Sequence, residues 1–301
     1  MLKFGLAVVA SFCVAGCLSP QRAMGGGGNG GSSSGGGASA QTFVYAQGAM
    51  QRGPLDLELD FYPGGTSCVA PRPVMVFVHG GGFKGGDRSR GKKTSEAFAA
   101  EGFNAFSIDY RLLSDRPQPS GPYRSVASMI AQSGEDQGMS NAVAAAFEDT
   151  VSALRFVRSN ASNLCSDPNK VVLYGRSAGA ITVLNVAYAL DDLGIKRPKI
   201  RGVLSNAGGG LMDGTVEQGD VPVMLMHGQK DDVVPYADAE AVWAQTQATG
   251  TAAHFHSFAN RDHGINAFSL RVGGKPLIDV AIDFAKDAVN GQVFGSIRTT
   301  N

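Results

Sequence analysis

An excess of charge of either sign is missing from this chain: 26 lysines and arginines balance 26 aspartates and glutamates, and charged residues make up 17% of the 301. Without a basic field there is nothing to hold nucleic acid phosphates, so nucleic acid is excluded as a partner, and an anionic lipid surface has no hold on the folded part. Long apolar runs are also lacking. The run from Phe4 to Val14 is too short to span a bilayer. Cysteine is scarce: of four residues, Cys13 and Cys17 fall in the first seventeen positions, leaving only Cys68 and Cys165 beyond them. His254 and His256 stand two apart on one strand face with no cysteine or carboxylate cluster beside them, so no metal is expected. The glycine run from Gly25 to Gly37 has no preceding strand, no closing Lys-Ser/Thr and no following helix, which excludes a phosphate loop. No cofactor is implied.

The first seventeen residues, MLKFGLAVVASFCVAGC, combine a positive start at Lys3 with a short apolar run, the pattern of an export signal rather than part of a fold. They end in Val14-Ala15-Gly16-Cys17, which resembles the bacterial lipobox and implies lipidation of Cys17; an ordinary secretory signal is the alternative. Residues 18–41 are rich in glycine and serine and have too few side chains to offset their ordering entropy. As a flexible tether they would reach roughly 25 to 30 Å. The expectation is an exported protein, anchored in a membrane only through that lipid, with a single catalytic domain over residues 42–301.

From residue 42 onward strands and helices alternate. LDLELDFY (55–62) sets leucines and Phe61 on one face and acids on the other, a half-exposed antiparallel strand with FVYAQ (43–47) as its hairpin partner. Apolar runs recur at 74–79, 104–110, 171–175, 200–206, 222–228 and 253–258, with helical patterns between most of them. The order predicts an α/β fold: about eight strands in a mostly parallel sheet with helices on both faces.

VVLYGRSAGA (171–180) is a strand that runs into a serine between small residues and then into a helix. A turn that tight demands small neighbours and lifts a hydroxyl above the sheet at a helix N-terminus, which makes Ser177 the candidate nucleophile. Serine needs a base, an orienting acid and oxyanion donors. His79-Gly80-Gly81-Gly82-Phe83 follows the third strand, and its bare backbone points to Gly81 and Gly82, with Ala178 after the serine, as the donors. HGQKDDVVP follows the seventh strand with two adjacent acids. Asp231 is favoured, four residues beyond His227, with Asp232 as the alternative. RDHG supplies His263 after the eighth strand, and the order Ser177, Asp231, His263 suits a hydrolase triad.

Together HGGGF, SIDYRL, GRSAG, HGQKDDVVP and DHG resemble the α/β-hydrolase esterases related to hormone-sensitive lipase and to bacterial carboxylesterases and feruloyl esterases, across residues 43–290. The resemblance implies the α/β-hydrolase fold and a cofactor-free serine esterase that acts on small-molecule esters of short-chain or aryl type. Amidase, formamidase or peptidase chemistry uses the same machinery, and a non-catalytic binding module is the reading from another class. The helical cap of hormone-sensitive lipase relatives has no counterpart here, so residues 112–140 are either a lid or a surface excursion, and NAGGGLM after the sixth strand is expected to wall the acyl pocket. In the strand order of that family the third and fifth strands are neighbours. Cys68 and Cys165 each precede one of them by six residues, so a disulfide is expected at the end opposite the serine.

Overall fold

Leu57, Leu59 and Phe61 turn inward from the second strand while Asp56 faces solvent. This strand, β2 (Gly53–Tyr62), forms an antiparallel hairpin with β1 (Gln41–Met50). The computed structural model describes residues 40–212 and 215–301. The signal segment with Cys17, and the tether as far as residue 39, lie outside the described residues; Gln41 already belongs to β1, one residue ahead of the expected boundary.

The remaining strands of the main sheet are β3 (Arg72–Val78), β4 (Asn104–Ile108), β5 (Ser166–Arg176), β6 (Gly202–Asn206), β7 (Val223–Gly228), β8 (Ala253–Phe258) and β11 (Ser296–Thr300); β9 (Arg271–Val272) and β10 (Lys275–Pro276) form a separate small hairpin. The order is β1-β2-β4-β3-β5-β6-β7-β8-β11, with β2 antiparallel to β1 and β4 and every other pairing parallel. β4, β6 and β7 are buried along their whole length, because helices cover both faces of a parallel sheet. α1 (Lys92–Ala100) and α6 (Leu277–Asn290) close one face. α2 (Tyr123–Gln132), α3 (Gln137–Ser159), α4 (Ala178–Tyr188) and α5 (Tyr236–Thr249) close the other.

The sheet has nine strands rather than about eight. The ninth, β11, is SIRTT, exposed at every residue except Thr299, which is half-buried. It carries no apolar alternation, and only its pairing with β8 defines it.

Residues 112–140 are built into the domain. A single 3-10 turn (Leu113–Asp115) leads to α2, whose Tyr123, Val126, Ala127 and Ile130 are buried in the core of that face. The start of the segment is stitched to the hairpin: the Gln51 amide donates to the Arg116 carbonyl and the Gln118 amide to that of Ala49. Beneath it Arg111, with 1% of its side chain exposed, donates to Asp149 (2.7 Å), to Glu148 (2.8 Å) and to the Ala49 carbonyl (2.9 Å). Glu148 in turn accepts from the Ser120 amide at 3.1 Å.

Cys68 and Cys165 are joined, with Cα atoms 5.6 Å apart, just ahead of β3 and β5. Closing the 97-residue interval between them contributes about 4 to 5 kcal/mol in the chain-entropy account. The double variant Cys68→Ser/Cys165→Ser should therefore melt well below the parent in thermal unfolding while retaining its turnover, since the bridge lies at the end of the sheet remote from Ser177. An unchanged melting temperature would remove the bridge from the stability account.

Burial, helped by His254, pushes the His256 imidazole down to about 4, and burial also lowers His79 and His254. Between about pH 4 and 6.5 the His256 ring stays neutral when folded but takes up a proton when unfolded. The unfolded state then binds more protons, so its contribution is whole above 6.5 and is lost as the pH falls towards 4, and His79 and His254 act in the same direction. Melting temperature should decline from pH 7 to pH 5, with a shallower slope in His256→Phe. A parallel slope in that variant would mean that His256 carries none of the effect.

Candidate active site

β5 runs straight into Ser177, whose backbone takes φ 52° and ψ −123°, a conformation that residues with a Cβ rarely adopt. The reason is contact between backbones. A Cβ on Gly179 would stand 2.0 Å from the Val78 carbonyl oxygen, and one on Gly175 2.2 Å from that of Gly179, so β3, the turn and the first turn of α4 meet with no room for side chains. The Ser177 amide donates to the Asn206 carbonyl (2.8 Å), and its own carbonyl accepts from Ala180 (2.8 Å) and Ile181 (3.0 Å), so α4 begins at once. The hydroxyl is left half-exposed above the ends of the strands.

His263 reaches it from the loop after β8. Its Nε2 lies 2.7 Å from Ser177 Oγ, and its Nδ1 lies 2.8 Å from Asp231 Oδ2. The carboxylate can only accept, so Nδ1 carries the proton and Nε2 is free to accept from the serine. Gly228 makes this crossing possible: a Cβ there would lie 2.2 Å from the Asp262 carbonyl oxygen. The two loops are tied by backbone bonds, Gln229 to Phe258 and Lys230 to Arg261. Asn206 holds the far side by donating to the Ile265 carbonyl at 3.3 Å.

The Asp231 side chain is fully buried. Oδ1 accepts from the amides of Val233 (3.0 Å) and Val234 (2.9 Å), Oδ2 accepts from His263, and His227 Nε2 lies 3.1 Å from Oδ2. Burial alone would push this carboxyl up, but the bonds from His227, His263 and the two amides outweigh it and hold the group well below the usual carboxylate range. Asp232, the other acid of the pair, is exposed.

Gly81 and Gly82 follow β3 at φ 141° and 61°, and neither amide has an acceptor among the described residues. Ala178 opens α4, so its amide has no acceptor within the helix either. The loop is held from behind by three consecutive residues at the end of β4. Asp109 binds the Arg88 amide (2.7 Å) and guanidinium (2.5 Å). Tyr110 stacks on His79 with ring centroids 4.2 Å apart and donates to its carbonyl at 3.1 Å. Arg111 is the buried anchor beneath the 112–122 stretch. None of these three roles is readable from residue spacing, since the partners come from distant elements.

NAGGGLM after β6 packs against two helices: Cβ atoms on Gly208 and Gly209 would strike Ala180 and Asp238. Asn185 of α4, wholly buried, donates to the Gly210 carbonyl and accepts from the Met212 amide. An open pocket of about 510 Å³ lies elsewhere, lined by Gln118, Pro119, Ser120, Arg124 and Gln137 among others, and includes none of Ser177, Asp231 or His263. Among the described residues no three His, Cys, Asp or Glu side chains are grouped to hold a metal ion, and His256 Nδ1 instead meets Thr299 Oγ1 at 2.9 Å.

Comparison with known proteins agrees with this architecture. A family described as alpha/beta hydrolase fold matches residues 137–264, and a second, BD-FAE, matches residues 59–122. The carboxylesterase NlhH of Mycobacterium tuberculosis is 30% identical over 124 residues, covering 40% of this chain and 31% of that protein. Lipase 1 of Geotrichum candidum is 30% identical over 55% of this chain and 28% of its own length. Phenmedipham hydrolase of Pseudarthrobacter oxydans is 32% identical over 38% of this chain and 20% of its own. The chain thus spans less than a third of the length of these relatives. Among solved structures, a thermophilic esterase of Thermogutta terrifontis with propionate bound superposes with a TM-score of 0.61 at 21% identity, over 84% of this chain and 94% of that one. The sheet order, the turn at Ser177 and these likenesses converge, and the chain has the alpha/beta hydrolase fold.

Proposed function

We propose that the protein is a carboxylic ester hydrolase acting through a serine acyl-enzyme. The observation that carries this reading is the unbroken chain from Ser177 Oγ through His263 to Asp231, at 2.7 and 2.8 Å. His263 Nε2 takes the serine proton as Oγ attacks the ester carbonyl, while Asp231 stabilises the imidazolium. The amides of Gly81, Gly82 and Ala178 receive the oxyanion. His263 then returns the proton to the leaving alcohol. Water, activated by the same nitrogen, releases the acid, and no step draws on a cofactor. The substrates are short-chain or aryl esters: Asn185 and the two helices back the NAGGGLM segment, and a structural neighbour of the same fold is an esterase with propionate bound. Amide substrates assayed beside p-nitrophenyl, feruloyl and acetylated-sugar esters test the neighbouring chemistry; faster amide than ester cleavage would replace this reading.

Ser177→Ala should lose on the order of 10⁴ to 10⁶ in kcat with the fold intact. Asp231→Asn should be severely impaired and Asp232→Asn near normal; the reverse pair of results would move the acid by one residue. In the parent, kcat/KM should fall on acidification with the slope of a single proton, because Asp231 stays ionised and only the imidazole titrates. A flat profile between about pH 5 and 8 would exclude a histidine base.

The same proposal includes export and anchorage through a lipid on Cys17, resting on the short apolar run and the Ala15-Gly16-Cys17 ending. The protein should partition into detergent, and Cys17→Ser should release it or block its processing. A fully aqueous exported parent would remove the anchor.

A further inference from the structure

His227, at the end of β7, takes no part in proton transfer to the serine, yet its ring is 1% exposed and sits against the acid. Nε2 lies 2.9 Å from the Val234 carbonyl and 3.1 Å from Asp231 Oδ2. Both neighbours only accept, so Nε2 carries the hydrogen, which it donates to the Val234 carbonyl with Asp231 Oδ2 alongside. Nδ1 is buried without a partner among the described residues, so a hydrogen there would be a buried donor with no acceptor. The ring is therefore a fixed donor that spans the turn from 227 to 234. The other titratable groups facing the pair are His263 from the loop after β8, and Tyr236 and Asp238 from α5. Tyr236 meets the His227 ring edge-on at 5.9 Å, and Asp238 acts on the ring through its charge.

We propose that His227 is a positioning residue of the triad: its Nε2–H fixes the plane of the Asp231 carboxylate and draws charge from the oxygen that faces His263. This rests on the esterase reading for its kinetic consequence and on geometry alone for the bond. The sign is set by the charge. With the donor removed, Oδ2 is more strongly negative, the imidazolium of His263 is held more tightly, and the acid limb of kcat/KM moves to higher pH. Turnover falls because the carboxylate can rotate away from Nδ1.

Two measurements test this. In the ¹⁵N-labelled parent, His227 should appear as the Nε2–H tautomer, with a slowly exchanging proton. A His227 in the Nδ1–H form overturns the proposal whether or not any ester is cleaved. In the second, reactive serines are counted with a fluorophosphonate, so that kcat is expressed per active site. His227→Leu should lose about tenfold, the lower range for removing an outer partner of a functional imidazole. Its acid limb should rise by roughly half a unit or more, with KM little changed. His227→Gln, which can present an N–H near the same place, should restore most of both. A merely structural role predicts fewer labelled sites with normal kcat and an unmoved acid limb, and that result refutes positioning. If the leucine variant does not fold, the tautomer and the NMR titration of His263 in His227→Gln decide the matter. A folded parent that cleaves no ester, with the tautomer as expected, would count against the esterase reading and not against this bond.

Discussion

A contact between backbones underlies the active site: the turn from β5 into α4 lies against the end of β3 so tightly that the Gly179 position clears the Val78 carbonyl only without a side chain. Ser177 is forced into its positive φ there, a strain of roughly 1 to 3 kcal/mol for such a residue. The strain is sustained because both strands are central and covered on each face, leaving the turn nowhere to relax. The rest of the site depends on that contact. It sets the hydroxyl above the strand ends, starts α4 one residue later with its first amide unspent, and brings the β3 loop beside the serine.

A second layer of order comes from loops crossing the same end of the sheet. Asp109, Tyr110 and Arg111 leave β4 in succession and bind Arg88, the His79 carbonyl and Asp149, so one short segment braces the glycine loop, its preceding residue and the 112–122 stretch. The acid turn is closed on itself by three donors to one carboxylate, two from its own backbone and one imidazole, with the His227 ring against the same carboxylate. Rigid oxygens and nitrogens aimed before a substrate arrives are what electrostatic stabilisation of a transition state requires.

Much of this architecture is legible in the residues. Strand-helix alternation carries the parallel sheet, because buried central strands must be apolar throughout. The Ser177, Asp231 and His263 positions stand out because tight turns restrict composition and the strand order fixes their sequence. Asp231 is separable from Asp232 by its place in the turn, and the structure buries the first and exposes the second. β11 is not legible, since an exposed edge strand has no hydrophobic period and is held only by pairing. The roles of Arg111 and Asn185 are hidden for another reason: each is defined by partners on distant elements, which spacing along the chain does not encode. His227 reads in the sequence as a strand terminus, and only the fold of the turn brings its ring onto the carboxylate.

β1 lies antiparallel to β2, and β2 antiparallel to β4, so β1 runs the same way as the parallel strands. Gln41 therefore enters at the end where β3 and β5 begin, the same end as the Cys68–Cys165 bridge, while Ser177 lies at the end where those strands finish. The domain thus has a rear and a front along the strand axis. A surface that held the polypeptide by its leading residues would be joined to the rear, so the point of attachment and the nucleophile occupy opposite ends of one domain.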